Sequence, residues 1–196
     1  MVGLYSTLSE GLAWRLRIAM NEKAHRYLIR EAVEDDLPVL VEFLASLALH
    51  VSGAPALSLE KYERDRLIAV LRSSLTDANK QIVVAEVPEA GLVGMGYIYI
   101  ASNQGIWEQT SHLEYRSGII DDVWVEPEFR KLGIFPDLLR KLVAFAEIRG
   151  VYELVLEYSA SNKEARAAWT RLGFKTIGVR AAAFTSSVRE ALKSRS

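Results

Sequence analysis

The chain has no cysteine among its 196 residues, which excludes disulfide staples, a thiol nucleophile and thiolate metal sites. Neither an oxidising nor a reducing compartment is therefore demanded. Histidine is scarce as well. His50 and His112 stand alone, without the spacing of metal ligands, and read as surface or loop residues, with a place lining a pocket open to either; no metal is expected. Charge of neither sign prevails: 24 Lys and Arg against 25 Asp and Glu leave a net charge of −1. That balance gives no basic field for nucleic acid or an anionic membrane. No apolar run reaches the ~20 residues of a membrane helix, and Arg15 and Arg17 interrupt what would have to be the apolar region of a signal peptide. The reading is a cytoplasmic protein with no nucleic-acid or membrane partner. With only five prolines, no low-complexity tract, internal repeat or long linker is found.

Half of the residues are apolar in a chain of 21.9 kDa, enough to bury one substantial core. Residues 1–25 read as an extension with a short helix, since Leu8, Leu12 and Leu16 recur at helical spacing. Residues 26–196 read as a single domain. Tyr27–Arg30 reads as a first strand. Glu34, Asp35 and Asp36, with Pro38 just after them, favour a helix N-terminus. Leu40, Phe43, Leu44 and Leu47 form its inner stripe, and Ser52-Gly53-Ala54-Pro55 ends it. A second helix runs from Ser58–Lys61 to about Leu75. Gln81–Val87 and Leu92–Ala101 read as a hairpin turning at Pro88-Glu89-Ala90-Gly91, and Ser102–Tyr115 is irregular.

Gly118–Val125 reads as a fourth strand and Pro136–Ile148 as a helix. Val151–Tyr158, Asn162–Leu172 and Phe174–Val179 then give strand, helix and strand. The tail stays open between a last strand over Arg180–Phe184 and a terminal helix, for which Ser187 and Glu190 supply a capping-box pattern. Antiparallel strands followed by a parallel strand–helix–strand unit imply a mixed α/β sheet flanked by helices.

Chemistry concentrates where the fourth strand meets the next helix, VWVEPEFRKLGIFPDLLRKLVAF. A strand that turns tightly into a helix presents unpaired backbone N–H groups and the positive end of a helix dipole, a ready cradle for pyrophosphate. This run resembles the coenzyme A signature of the GNAT superfamily of acyl-CoA-dependent N-acetyltransferases, Arg/Gln-x-x-Gly-x-Gly/Ala. Arg130 and Gly133 match, and Phe135 replaces the last small residue. Downstream, Asn162, Ala165, Trp169, Gly173 and Phe174 follow the family's Asn-x-x-Ala, aromatic and closing Gly-Phe in the same order.

The resemblance implies a mostly antiparallel sheet of six or seven strands whose fourth and fifth strands splay apart to admit pantetheine. Backbone groups of Val123 and Val125 would pair with that arm. Amides of Lys131, Leu132, Gly133, Ile134 and Phe135 would hold the pyrophosphate, with one donor lost at Pro136 and Arg130 facing phosphate or adenosine. Asn162 and Trp169 are also implied at the cofactor, with acetyl-CoA as cosubstrate. Asp121 aligns with the family's catalytic base, a role weighed evenly against that of a solvated strand-end carboxylate, and Asp122 lies on the opposite face by period two. Glu126 reads as a loop carboxylate. Trp169 stands where tyrosine commonly protonates the leaving thiolate, and indole is no acid near neutral pH. Tyr158 is the substitute candidate, although packing is the commoner role for such an aromatic.

The reaction implied is acetyl transfer to a primary amine of a small molecule or peptide, with room for a homodimer. Two other readings remain: a non-catalytic acyl-CoA-binding sensor or regulatory protein, and an interaction domain that keeps the fold without cofactor. The acceptor would be set by the first two helices and the Ser102–Tyr115 segment.

Overall fold

A computed structural model describes residues 27–53, 59–102, 116–178 and 181–193. The extension expected over residues 1–25 lies outside them, as does nearly all of the irregular segment from Ser102 to Tyr115. The chain forms two compact units, residues 1–157 and 158–196.

The first unit is built on one five-stranded sheet in the order β1-β2-β3-β4-β5. Its strands are β1 (Leu28–Glu31), β2 (Lys80–Val87), β3 (Gly91–Ser102), β4 (Arg116–Val125) and β5 (Glu153–Leu156). The first three pairings are antiparallel and β4 with β5 is parallel. Helices α1 (Leu37–Ser52), α2 (Lys61–Leu75) and α3 (Ile134–Ile148) cover it. The strand count corrects the expected six or seven, because residues 174–178, expected to pair as a strand, form none.

Alternation along the strands explains the layering. Ile82, Val84, Met95 and Trp124 point to one face and pack on Leu37, Leu40, Val41 and Phe43 of α1 and Leu71 of α2. Val83 and Gly96 point to the other, where a Cβ on Gly96 would stand 3.1 Å from Leu142 of α3. With helices on both faces, four consecutive residues of β2 are buried, the continuous apolar run of a doubly covered strand.

Termini follow local chemistry. Asp36 accepts from Val33 N–H at 2.8 Å and from both terminal nitrogens of Arg30 at 2.6 and 2.9 Å. That closes a turn over Glu34–Asp36 before α1. Gly53 ends α1 at φ 66°, donating to Leu49 C=O, a conformation that suits glycine. Glu60 N–H bonds Glu63 at 2.8 Å to begin α2. Helix α3 starts two residues earlier than expected, so Pro136 is its third residue, not its first.

In the second unit, α4 (Lys163–Arg171) and α5 (Thr185–Lys193) are helical. The tail is thus a helix, begun at Thr185 and not at a Ser187 cap. Strand β5 is shorter than the expected Val151–Tyr158. No described helix is long and apolar enough to cross a membrane.

Candidate functional site

Between β3 and β4 the ladder gains a residue. Gly96 pairs with Val123 and Ile98 with Ile120, so Asp121 and Asp122 together oppose the single Tyr97. Such a bulge bends a strand and breaks its alternation of side chains. Period two would send the two carboxylates to opposite faces; instead both line one cavity of about 250 Å³ beneath α1 and α2. The opposite-face expectation for Asp122 is therefore corrected, with the bulge as the reason.

Asp121 is exposed and Asp122 half-buried. Burial first, and the Asp121 charge second, raise the Asp122 carboxyl from its ordinary 3.8 to about 6, since both disfavour the ionised form. Neither carboxylate is tied into an ion pair or hydrogen bond among the described residues. A carboxyl that titrates near neutral pH and has no structural partner is suited to accepting a proton.

Beyond the bulge, β4 outruns its neighbour. The ladder with β5 stops at Ile120 opposite Leu156, while β4 continues to Val125. Glu126 N–H donates to Val93 C=O at 2.9 Å, so by the alternation of an antiparallel ladder Trp124 also faces β3, and Val123 and Val125 turn their backbone groups away. Arg130 reaches this side, its Nε donating to Val125 C=O at 3.0 Å. Its guanidinium lies 5.1 Å from the centre of the Trp124 ring, a cation–π contact. Arg130 therefore fastens the loop to the end of β4. His50 of α1 meets the same ring edge-on at 5.9 Å.

The loop after β4 is held in left-handed conformations at Lys131 (φ 65°) and Gly133 (φ 94°). The first helical bond of α3 runs from Asp137 N–H to Gly133 C=O at 3.3 Å. The preceding amides, Leu132 to Phe135, have no intrahelical acceptor, and their dipoles align with the helix. Tyr27 OH donates to Asp137 at 2.7 Å and would stand 3.1 Å from a Cβ on Gly133. Arg140 pairs with the same aspartate. Glycine at position 133 thus serves both the positive φ and the space beneath Tyr27.

Asp121, Val123, Val125 and Arg130 to Phe135 all belong to the first unit. Tyr158, Asn162 and Trp169 belong to the second, where the family-like residues have local uses. Asn162 caps α4, accepting from Ala165 N–H at 2.9 Å. Trp169 is buried and meets Phe174 edge-on at 5.3 Å. Gly173 takes φ 94° to turn the chain back so that Phe174 N–H reaches Trp169 C=O. Tyr158 follows β5 by two residues and is half-buried.

The sequence reading missed Tyr97 and Tyr99, which line the cavity with the two aspartates. Their rings lie 6.0 Å apart. Their spacing of two on a strand was the available signal. It also missed the Tyr27–Asp137 brace, which joins residues 110 apart and leaves no local trace.

The model of the acetyltransferase (GNAT) family matches residues 40–174. A transcriptional regulator from Bacillus halodurans has a similar structure (TM-score 0.66, 22% identity, covering 81% of this chain and 99% of that one). A predicted acetyltransferase with acetyl-CoA from Clostridium acetobutylicum superposes with TM-score 0.65 at 19% identity, over 82% of this chain and 97% of that one. Glucosamine-6-phosphate N-acetyltransferase from Arabidopsis thaliana gives 0.59 at 20%, over 81% and 98%. At these identities the likeness is one of fold. No curated protein matches by sequence.

Proposed function

Since the chain belongs to the acetyltransferase (GNAT) family, we propose that it is a cytoplasmic N-acetyltransferase moving the acetyl group of acetyl-CoA directly to a primary amine in a ternary complex. The observation that carries this reading is the acid pair of the β4 bulge, which opens the stretch of strand edge that β5 leaves unpaired. Acetyl-CoA supplies the acetyl group as a thioester. Amides at the start of α3 bind its pyrophosphate, with Lys131 adding charge and Gly133 keeping the approach open. Backbone groups of Val123 and Val125 orient the pantetheine arm and stabilise charge developing on the carbonyl oxygen.

An alkylamine enters as an ammonium with pKa ~10.4 and must lose a proton before its nitrogen can attack. The acid pair takes it. Asp121 was the expected base; Asp122, raised to about 6 by burial first and by the Asp121 charge second, is the carboxyl proposed for that role. The nitrogen then bonds to the carbonyl carbon, the carbon–sulfur bond breaks and CoA leaves as a thiolate. Tyr158 is the candidate to protonate it, Trp169 having no acidic proton to give.

The acid pair also weighs against a non-catalytic sensor, because a half-buried carboxyl with no partner among the described residues destabilises the fold without aiding cofactor binding. Absence of cysteine makes the test direct, since every thiol detected is CoA. Acetyl-CoA titrated calorimetrically should bind, and an amine panel should release CoA at a rate above hydrolysis. Binding with no amine-dependent release would favour the sensor; absence of binding would remove both.

A further inference from the structure

The acceptor side of the site has a one-sided chemistry. We propose that the acceptor is a small cationic monoamine on an apolar chain or ring, lacking carboxylate and phosphate. The proposal rests on the transferase reading above. The cavity's volume of about 250 Å³ falls below the roughly 300–1,000 Å³ of drug-sized sites and equals about eight waters. It suits a body of one ring or a short chain.

Its polar groups gather on the sheet, where Asp121 and Asp122 stand opposite Tyr97 across the bulge. Two carboxylates and two tyrosine rings are the partners an ammonium takes, by charge and by cation–π contact. The helix side is apolar, with Leu44 of α1 and Leu67 and Leu71 of α2. The one other hydroxyl on this wall, Ser74, already donates to Val70 C=O at 3.0 Å. No Lys, Arg or His lines the cavity among the described residues. An acceptor carrying its own carboxylate or phosphate would meet the acid pair with no cation to answer it among the described residues, and a second ammonium would lie against leucines.

The test compares 2-phenylethylamine and hexylamine with lysine, spermidine, glucosamine 6-phosphate and a short peptide, by CoA release at pH 8. The two monoamines should exceed each of the others at least tenfold in kcat/KM. Val70, at the cavity edge and 62% exposed, offers a substitution that spares the core. Val70→Lys should raise KM for the monoamines several-fold and narrow the gap to the anionic amines. Equal or better use of any of the other four, or no change in selectivity in Val70→Lys, would overturn the proposal. Calorimetry with 2-phenylethylamine alone separates the two readings: binding without CoA release keeps the amine pocket and removes the transferase, whereas no binding and no use of either monoamine removes the pocket assignment.

Discussion

Replacing Asp122 by asparagine should disable the proposed base and stabilise the fold at the same time. The native carboxyl titrates at about 6 instead of 3.8, so between those values the native state holds a proton that the unfolded chain has released. Wherever the folded state binds the extra proton, stability falls as pH rises. Wild type should therefore lose stability from about pH 4 up to about pH 6 and stay at the lower level above it. A shift of about two units corresponds to about 3 kcal/mol at 1.36 kcal/mol per unit. This is a ceiling, because Asp122 is only half-buried and asparagine must also find polar partners; a gain of about 1–2 kcal/mol at pH 8 is expected. At 2–4 °C per kcal/mol for a chain of this length, that is a rise in Tm of about 2–8 °C. Thermal unfolding by circular dichroism at pH 4 and pH 8 checks it. The gain should be present at pH 8 and absent at pH 4, where Asp122 is protonated and resembles asparagine. Equal differences at both pH values would refute the titration argument.

Other substitutions separate the roles of neighbouring groups. Gly133→Asp places a side chain and a negative charge at φ 94° beneath Tyr27; calorimetry should show acetyl-CoA affinity reduced at least tenfold, with about 1–2 kcal/mol of backbone strain in urea unfolding. Asp36→Ala leaves Arg30 with Glu86 at 2.7 Å as its one carboxylate partner, beside Glu31 C=O at 3.1 Å, and takes from Val33 N–H its Asp36 acceptor; it should cost about 2–3 kcal/mol by denaturant unfolding. Arg30 holds the Asp36 carboxyl below its ordinary range, so this contribution is present above ~3.9 and lost as pH falls through the lower folded value. Trp169→Phe should keep most of the turnover, the edge contact with Phe174 surviving in part. Tyr158→Phe should lower kcat with acetyl-CoA affinity unchanged, and full activity there would leave the thiolate to depart unaided.

Most of the fold was legible because it is written locally. Gly53, the turn at Pro88–Gly91 and the stripes of α1 and α3 each encode their element within a few residues. The turn from β4 into α3 was readable for the same reason, since a strand, Gly133 and a helix start are contiguous. Pairing was harder to see. Phe174–Gly178 has strand-like residues, yet Phe174 turns to Trp169 and Ile177 is exposed, so no ladder forms. The bulge was invisible for a related reason: an extra residue on β4 is defined only against its partner on β3, and strict alternation misplaced Asp122. The contacts of Arg130 were hidden too, since only the folded chain brings Val125 C=O and the Trp124 ring to it.

The acid pair as the catalytic centre is tested most directly by the pH dependence of kcat/KM in wild type, Asp121→Asn and Asp122→Asn, with acetyl-CoA binding measured alongside. A base must be deprotonated to act, so wild-type activity should rise with pH through about 6. Removing the Asp121 charge should move that limb to lower pH, while Asp122→Asn should lose at least a hundredfold in rate and keep its affinity for acetyl-CoA. Wild-type rates and an unshifted profile in both variants would contradict the assignment.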